Sequence, residues 1–561
     1  MSDQEQDPNA ADTTPVESAP LIATAADTKP ALAPEKRLRL MPPIWVWCLA
    51  GLWCVLLVLV RVANVSGDHA IVNILTLVFG FLAVSALVSW FAFLSGYPRV
   101  LRFGGLTVLI GAISAFCMSY RIYQVSGELV PMFRLRHAAS PDELLKQPPV
   151  MTGKNVSVRE TTPDDFPEFL GARRLGRVDT VRLAPDWTAQ PPKELWRRPI
   201  GAGWSGFAVV NGVAMTMEQR GDHELVTCYR VEDGALIWSY TIEGRHKTFM
   251  GGIGPRATPT INDGRVYSQG AFGTVSCLDG ASGAELWREE LLGRYGIPRD
   301  DDVKAIGWGR SGSPLVVDDL VIVPAGGPRD GPHVSLVAFD KTRGTIAWES
   351  GDRQISYSSP VLATLGGKRQ VLIVNESNAS GHDPKSGRML WQVEWPGGST
   401  TNASVSQAVP LPPNQFMLSK GYGGGAALFQ LTATRAGKFE VRDVWRNTRV
   451  LKTKFCNVVV HHDHVYGLSD GILECVELAT GQRVWKGGRY GHGQLLGVRN
   501  HLLVQLESGK VALVDATPEG FREVSRFSPI NGKTWNNPTL YGNRLLVRNA
   551  EEAACYELVT D

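Results

Sequence analysis

The sequence predicts an all-β fold class, an eight-bladed β-propeller preceded by three transmembrane α-helices. Two observations predict it. Three uncharged apolar runs occupy most of residues 40–121, and from residue 193 onward one hairpin pattern containing glycine and tryptophan recurs. The composition agrees with a repetitive β architecture, because the 561 residues include 59 glycines and 16 tryptophans.

The apolar runs span residues 40–60, 70–98 and 103–120, and each is bracketed by arginine or histidine. A helix needs roughly 17–25 apolar residues to cross a bilayer. A helix that is apolar on every face has no side that could face water in a soluble domain. Residues 40–121 are therefore predicted to form three transmembrane helices.

The charge distribution around these runs predicts their orientation. Residues 1–39 are rich in Ala, Pro, Thr and Asp and are predicted to form a disordered cytoplasmic tail. Lys36, Arg37 and Arg39 precede the first span, and Arg99 and Arg102 lie between the second and third, whereas residues 62–69 carry no Lys or Arg. Arg121, Arg134 and Arg136 follow the third span and oppose this bias. Because positive loops stay in the cytoplasm, everything after the third span is expected on the extracytoplasmic side.

Residues 122–190 are predicted to be a proline-rich linker with one short helix. Ser140 is suited to the N-cap, Pro141 to the first helical position, and Glu143 to the acidic position of a capping box.

A hairpin pattern in residues 191–561 predicts the propeller. In five copies a glycine precedes a tryptophan by four positions: Gly234 and Trp238, Gly283 and Trp287, Gly344 and Trp348, Gly387 and Trp391, Gly481 and Trp485. An acid usually lies four positions before the glycine, where it can accept hydrogen bonds from the turn. The glycine supplies a positive φ, and the tryptophan gives its strand a large apolar side chain.

Two further strands joined by a tight turn precede each copy, as in residues 260–267, so each unit has four strands. Four-stranded units of this spacing are typical of propellers. Residues 193–196, which end at Trp196, form a strand without partners before it, whereas residues 537–557 supply three strands without a fourth. Joining the two groups gives an eighth blade and closes the ring without an exposed sheet edge.

The hairpins resemble the quinoprotein repeat, Asp-x-x-Thr-Gly-x-x-x-Trp, over residues 190–561. That family includes quinoprotein alcohol and glucose dehydrogenases and the propeller lipoprotein of the outer-membrane protein assembly machine. The resemblance implies a quinoprotein-like propeller in the bacterial envelope. It implies no cofactor, because the repeated residues are structural. Together with the charge pattern it predicts a multi-pass protein of the bacterial inner membrane with a periplasmic propeller.

Two main functions remain open at this point. The first is a non-enzymatic scaffold that binds envelope proteins or peptides; it has no catalytic residues and no cofactor. The alternative is a membrane dehydrogenase of sugars or alcohols that uses pyrroloquinoline quinone and Ca²⁺. The family resemblance implies for such an enzyme a Ca²⁺ held by carboxylate and amide oxygens, and often an adjacent cysteine pair, which this chain lacks. A third function, a sensor that signals inward, finds no support in the short cytoplasmic tail.

The segments before each blade's first strand should ring one mouth of the central channel. Their candidate binding residues are cationic or aromatic: Trp204, Arg256, Trp308, Arg310, Lys454 and Trp535. Arginine and tryptophan are frequent binding anchors. We expect this mouth to bind an anionic group or an extended peptide, although the same residues could simply cap the blade ends.

Nucleic-acid binding and metal binding are not expected. The 57 Lys and Arg residues nearly balance the 55 Asp and Glu residues, whereas a nucleic-acid-binding surface needs a cationic excess. Residues 461–464, with three histidines, fall on a predicted hairpin turn, and adjacent histidines there point apart. The acidic residues 300–302 lack the alternating spacing of a calcium loop and are expected to be solvated.

Overall fold

The computed structural model describes residues 41–63, 69–146, 156–399, 402–434 and 438–561. Three helices come first: α1 (Ile44–Ala63), α2 (His69–Ser89) and α3 (Arg99–Ser119). A π-helical turn, Trp90–Leu94, continues α2. All three are long and apolar enough to cross a membrane. The predicted tail at residues 1–39 lies outside the described residues.

α1 and α2 pack side by side, with the rings of Trp53 and Phe79 stacked at 5.8 Å. No residue of α3 is buried within the protein. The apolar surface of α3 is therefore available to lipid.

A hairpin and a short helix connect α3 to the propeller. The hairpin strands are β1 (Tyr120–Val125) and β2 (Pro131–Leu135), and the helix is α4 (Pro141–Leu144). The backbone N–H of Ser140 donates to the Glu143 carboxylate at 3.0 Å, as the predicted capping box requires. Asp142 pairs with Arg245 at 2.6 Å, so α4 is held against the propeller.

Eight sheets form the blades, and each contains four antiparallel strands; in blade 7 a fifth strand, Arg177–Val178, pairs in parallel with the first of the four. Blades 1 and 2 contain Ala208–Val210, Val213–Arg220, His223–Arg230, Leu236–Glu243, and Thr260–Asn262, Arg265–Gln269, Thr274–Asp279, Glu285–Glu290. Blades 3 and 4 contain Leu315–Val317, Leu320–Gly326, Val334–Asp340, Ile346–Ser350, and Val361–Leu365, Lys368–Val374, Asn378–His382, Met389–Glu394.

Blades 5 and 6 contain Val409–Leu411, Gln415–Lys420, Gly425–Ala433, Phe439–Asn447, and Val459–His461, His464–Ser469, Ile472–Glu477, Arg483–Arg489. Blades 7 and 8 contain Gln494–Val498, His501–Gln505, Val511–Asp515, Glu523–Phe527, and Thr539–Tyr541, Arg544–Arg548, Glu552–Glu557, Lys193–Pro199. The remaining elements connect blades or cover them: Ala172–Arg174 (3₁₀), Arg177–Val178, Lys247–Thr248, Gly252–Ile253, Leu291–Arg294 (α5) and Arg299–Ala305 (α6).

Blade 8 closes the ring as predicted. Its outer strand Lys193–Pro199 pairs antiparallel with Glu552–Glu557, and Trp196 lies opposite Cys555. Arg197 donates to the Tyr556 hydroxyl at 2.8 Å, although 359 positions separate the two residues. The ring therefore has no open end between its first and its eighth blade.

The recurrent tryptophans and glycines meet between blades. The indole of one blade packs on the turn glycine of the next in five places: Trp196 on Gly234, Trp238 on Gly283, Trp287 on Gly344, Trp348 on Gly387 and Trp445 on Gly481. A Cβ at any of these glycines would lie 2.5 to 2.7 Å from the ring. Their φ angles are +68 to +74°, so each glycine provides both the turn geometry and the space for a neighbour's side chain.

Hydrogen bonds complete this contact. Trp196 Nε1 donates to the Val231 carbonyl at 2.7 Å in the next blade. The predicted acid of the turn also accepts: Asp340 Oδ1 receives the N–H of Arg343 at 2.8 Å. Trp391 differs, because it stacks on Phe416 at 4.5 Å and donates within its own blade.

Candidate binding site at the propeller mouth

A cavity of about 350 Å³ lies at the mouth of the channel nearest α2. It is lined by the segments that precede the first strands of seven blades and by the first strand residue of blade 7, Gln494; the residues of the seven segments are Trp204, Arg256, Trp308, Ser311, Tyr357, Ser359, Asn402, Val405, Lys454, Phe455, Asn457, Trp535 and Asn537. Five of the six predicted site residues are therefore together in one cavity. Their role in binding remains a prediction.

Arg310, the sixth candidate, requires a correction. Its side chain is fully buried, and its guanidinium forms an ion pair with Asp302 at 2.7 Å and donates to the Ala325 carbonyl. Burial lowers the pKa of Arg310 and raises that of Asp302, despite the ion pair between them. Asp302 lies on α6 and is itself buried, so the expectation of a solvated acidic loop was wrong at this residue. The pair attaches α6 to blade 3 and leaves Arg310 unavailable to a ligand.

Five aromatic rings form a continuous arc, here called the aromatic collar: Trp204, Trp535, Phe455, Trp308 and Tyr357. Successive ring centroids are 5.0, 4.6, 6.0 and 4.7 Å apart. The polar edges of the rings are bonded: Trp204 Nε1 donates to the Gly251 carbonyl at 2.7 Å, and Trp535 Nε1 to Glu507 at 2.9 Å. The collar is thereby held in place with apolar ring surface facing the cavity.

Cations surround the collar. Arg256 donates to the backbone carbonyls of Gly251 at 2.5 Å and Gly254 at 3.1 Å, and it forms no salt bridge with a carboxylate of the described residues. Burial lowers the pKa of Arg256 to about 10, so its guanidinium remains charged at neutral pH. Lys454 Nζ lies 5.4 Å from the centroid of the Tyr422 ring.

Lys533 is a further cation that the sequence analysis missed. It is buried beside the collar, with its ammonium 3.8 Å from the Trp535 centroid, and it donates to the Val125 carbonyl at 3.0 Å. Burial lowers its pKa to about 7. Its position directly before the Thr-Trp pair at 534–535 was the only available signal.

Two carboxylates lie near these cations: Glu507 raises the pKa of Lys533, and Glu224 raises that of Arg256, each against the larger effect of burial. Glu507 accepts from the backbone N–H of Gly127 at 2.6 Å, from Trp535 Nε1 at 2.9 Å and from the backbone N–H of His492 at 3.1 Å. Glu224 is fully buried, and burial raises its pKa to about 7, so it is roughly half protonated at neutral pH. Of the Asp, Glu, His, Lys and Arg residues that the structure describes, only the basic residues Arg256 and Lys454 line the cavity itself.

Three amide oxygens add polarity to the lining. Asn402 Oδ1, Gln494 Oε1 and Asn537 Oδ1 are buried and accept no hydrogen bond from any described residue. Buried acceptors of this kind are costly unless a donor reaches them. Cationic donors and unpaired acceptors together suit a ligand that carries both negative charge and hydrogen-bond donors.

Helix α2 and the loop between β1 and β2 complete one wall of the cavity. Ala70, Ile71 and Ile74 of α2 line it, together with Ser126, Gly127 and Leu129 of the loop between β1 and β2. We call residues 126–130 the hairpin loop. The sequence analysis had assigned the hairpin loop only to the linker.

The hairpin loop joins α2 to the propeller. Asn73 of α2 donates to the Glu128 carbonyl at 2.8 Å, and Arg489 of blade 6 pairs with the Glu128 carboxylate at 3.3 Å. Position 127 is glycine because any side chain would overlap the His492 ring. The hairpin loop therefore makes specific contacts both with α2 and with the propeller.

The opposite end of the channel is closed by the buried Arg174. Its guanidinium donates to the carbonyls of Ser313 and Pro360, each at 2.9 Å, and pairs with Glu168 at 2.6 Å. Phe169, near this closure, also lines the mouth cavity. Access to the cavity is therefore from the side of α2 and the loop between β1 and β2.

Known proteins match the repeated region of the chain. A family model described as outer membrane protein assembly factor BamB matches residues 222–487. The propeller is of the PQQ-repeat type. This chain is 24% identical to BamB of Moranella endobia over 292 residues, which cover 50% of this chain and 66% of BamB.

The chain is also similar to dehydrogenases. The quinoprotein alcohol dehydrogenase PedH of Pseudomonas putida is 23% identical over 195 residues, 33% of this chain and 29% of that enzyme. The chain thus spans less than two thirds of either relative. The structure of quinohemoprotein alcohol dehydrogenase ADHIIG of Pseudomonas putida HK5 aligns with a TM-score of 0.51 and 12% identity, over 71% of this chain and 81% of that one. The alignment shows a shared fold.

The lining of the mouth fits a Ca²⁺-bound quinone poorly. Ca²⁺ takes six to eight oxygen ligands, usually including carboxylates. No Asp or Glu is among the residues that line the cavity, and two cations are. Within the described ranges no three His, Cys, Asp or Glu side chains are grouped closely enough to hold a metal ion. We derive no reaction step from a quinone at this site.

Proposed function

We propose that this protein is a binding scaffold anchored in the bacterial inner membrane, with a periplasmic propeller that binds envelope proteins or peptides and takes an anionic group at its mouth. One observation carries the proposal: the mouth combines an aromatic collar with the basic residues Arg256 and Lys454, and no carboxylate of the described residues lines it. Aromatic and arginine side chains fixed in a desolvated pocket are typical binding anchors.

The periplasmic orientation has support from charge and topology. The start of α2 and the end of α3 both adjoin the propeller through the hairpin loop. The other ends of these helices are joined by residues 95–98, and Arg99 and Arg102 lie beside this connection in the first turn of α3. Because positive loops stay in the cytoplasm, the propeller belongs on the opposite side.

Crosslinking in native membranes tests the proposal. Proteins crosslinked to the full chain would be identified for the wild type and for the double variant Arg256→Gln/Lys454→Gln. The control is Arg343→Gln/Lys385→Gln, which removes the same charge from exposed turns of blades 3 and 4. We expect at least a tenfold loss of crosslinked partners with the mouth variant alone. An unchanged partner set in a normally folded mouth variant would contradict the proposal.

The alternative is a dehydrogenase that uses pyrroloquinoline quinone, which the similarity to PedH favours. Purified protein supplied with the quinone and Ca²⁺ would be given sugars and alcohols together with a redox dye. If reduction of the dye requires both the quinone and Ca²⁺, the protein is a dehydrogenase and the scaffold proposal is wrong.

A further inference from the structure

The mouth cavity opens towards the level at which a membrane begins. Ile71 and Ile74 lie in the first two turns of α2, within about 8 Å of its first residue at 1.5 Å per residue. Both line the cavity, yet they remain 46% and 45% exposed. Their outer sides therefore face whatever surrounds α2, which for a spanning helix is lipid.

A loop of the propeller lies on the other side of this opening. Residues 247–253 connect blades 1 and 2, and Met250 of this loop lines the cavity while remaining 42% exposed. Its neighbour Phe249 is 64% exposed. Apolar side chains beside a spanning helix are stable at the boundary between lipid head groups and acyl chains. The cavity thus has an apolar gap between this loop and α2.

The same cavity also has a polar part. Met250 and Ile74 share its lining with the aromatic collar, with the basic residues Arg256 and Lys454, and with Asn402, Gln494 and Asn537, whose side-chain oxygens are unpaired. A ligand that satisfies this lining has an apolar part at the gap and a negative, hydroxyl-bearing part near the basic and amide groups. A cavity of about 350 Å³ is at the small end of ligand sites, so it has space for a head group, and acyl chains would remain outside.

We infer, on the basis of the function proposed above, that the anionic group taken by the mouth is the head group of a membrane phospholipid that carries hydroxyls, with its chains running along α2. The phosphate pairs with Arg256 and Lys454, and the hydroxyls donate to the amide oxygens. A peptide is the weaker candidate, because the hairpin loop and α2 cover the mouth where a chain from the aqueous phase would enter.

Native mass spectrometry of the full-length protein tests this assignment. The protein would be reconstituted in nanodiscs of phosphatidylglycerol and phosphatidylcholine and transferred to detergent, and its retained lipids would be counted. We expect about one phosphatidylglycerol per chain and at least tenfold less phosphatidylcholine. Arg256→Gln/Lys454→Gln should lower the retained phosphatidylglycerol at least tenfold, whereas Arg343→Gln/Lys385→Gln should leave it unchanged.

A second variant tests the gap without altering charge. Ile74→Trp enlarges a side chain of the gap and should also reduce retained phosphatidylglycerol, by at least fivefold. Soluble glycerol 3-phosphate, titrated by calorimetry in detergent, should bind at least tenfold more weakly than the intact lipid. Equal retention of both lipids, or equal binding of the soluble phosphate, would overturn the inference.

Comparison with the crosslinking experiment separates the two proposals. Partners lost from the Arg256→Gln/Lys454→Gln variant, with no selective lipid in the wild type, would sink the lipid assignment and leave the scaffold standing. Selective lipid retention with an unchanged partner set would leave the lipid site standing and remove protein binding from the mouth.

Discussion

The contact between Trp238 and Gly283 gives the strictest test of the fold. Gly283→Ala places a methyl group where the structure leaves 2.6 Å to the Trp238 ring, and it does so at a φ of +74°. Gly212→Ala is the matched control, because Gly212 has a φ of +76° but no atom within 4 Å of its would-be Cβ. Both substitutions place an alanine at a positive φ, but only Gly283→Ala brings its methyl group against a tryptophan ring.

The expected cost follows from these two terms. A left-handed conformation costs a residue with a Cβ about 1–2 kcal/mol, so Gly212→Ala should lower the free energy of unfolding by about that amount. At Gly283 the overlap also displaces a fully buried indole, and overpacking of this kind adds about 1–3 kcal/mol. The displaced ring loses its hydrogen bond to Gly280, worth about 1 kcal/mol. We expect about 3–6 kcal/mol in total.

Unfolding of the full-length protein in detergent measures this difference. Tryptophan fluorescence would follow thermal unfolding of the wild type and both variants under the same conditions. Gly283→Ala should have a clearly lower midpoint than Gly212→Ala. Equal midpoints for the two variants would refute the idea that turn glycines make room for the tryptophan of the preceding blade.

Two further changes concern buried charge. Burial raises the pKa of Glu224 from 4.5 to about 7, so the wild type loses about 3 kcal/mol of stability as the pH rises through that window. Glu224→Gln removes this loss, so the variant should gain stability relative to the wild type between pH 5 and pH 8. Chemical unfolding at both pH values checks this, and a pH-independent difference between variant and wild type would contradict it. Asp302→Asn leaves buried Arg310 unpaired and should cost about 3–5 kcal/mol, measured by the same unfolding assay. The exposed neighbour, in Asp301→Asn, should change stability by less than about 0.5 kcal/mol, and a similar loss in both would count against the pairing.

The fold was predictable because its signals are local. A glycine four residues before a tryptophan defines a turn and a strand within one hairpin, and the unmatched strand at Trp196 indicated how the ring closes. The contact of Trp238 with Gly283 was not predicted, because it joins two blades and depends on how the sheets stack.

The site was predictable where topology determines position. Every segment that precedes a first strand lies near the propeller axis, so Trp204, Arg256 and Trp535 could be assigned to the mouth. The same rule failed for Arg310, because a rule about backbone position does not reveal that Asp302 is buried beside it. No pattern pointed to the hairpin loop, whose docking depends on the shape of a partner surface.

The closure of blade 8 also determines when the propeller can finish folding during synthesis. The strand Lys193–Pro199 leaves the ribosome soon after the spans, whereas its partner Glu552–Glu557 follows some 350 residues later. Throughout that interval the early strand lacks its partner, and its unpaired backbone groups can pair with other chains. The ring of a nascent chain therefore closes only late, when the strand that contains Cys555 pairs with the strand that contains Trp196.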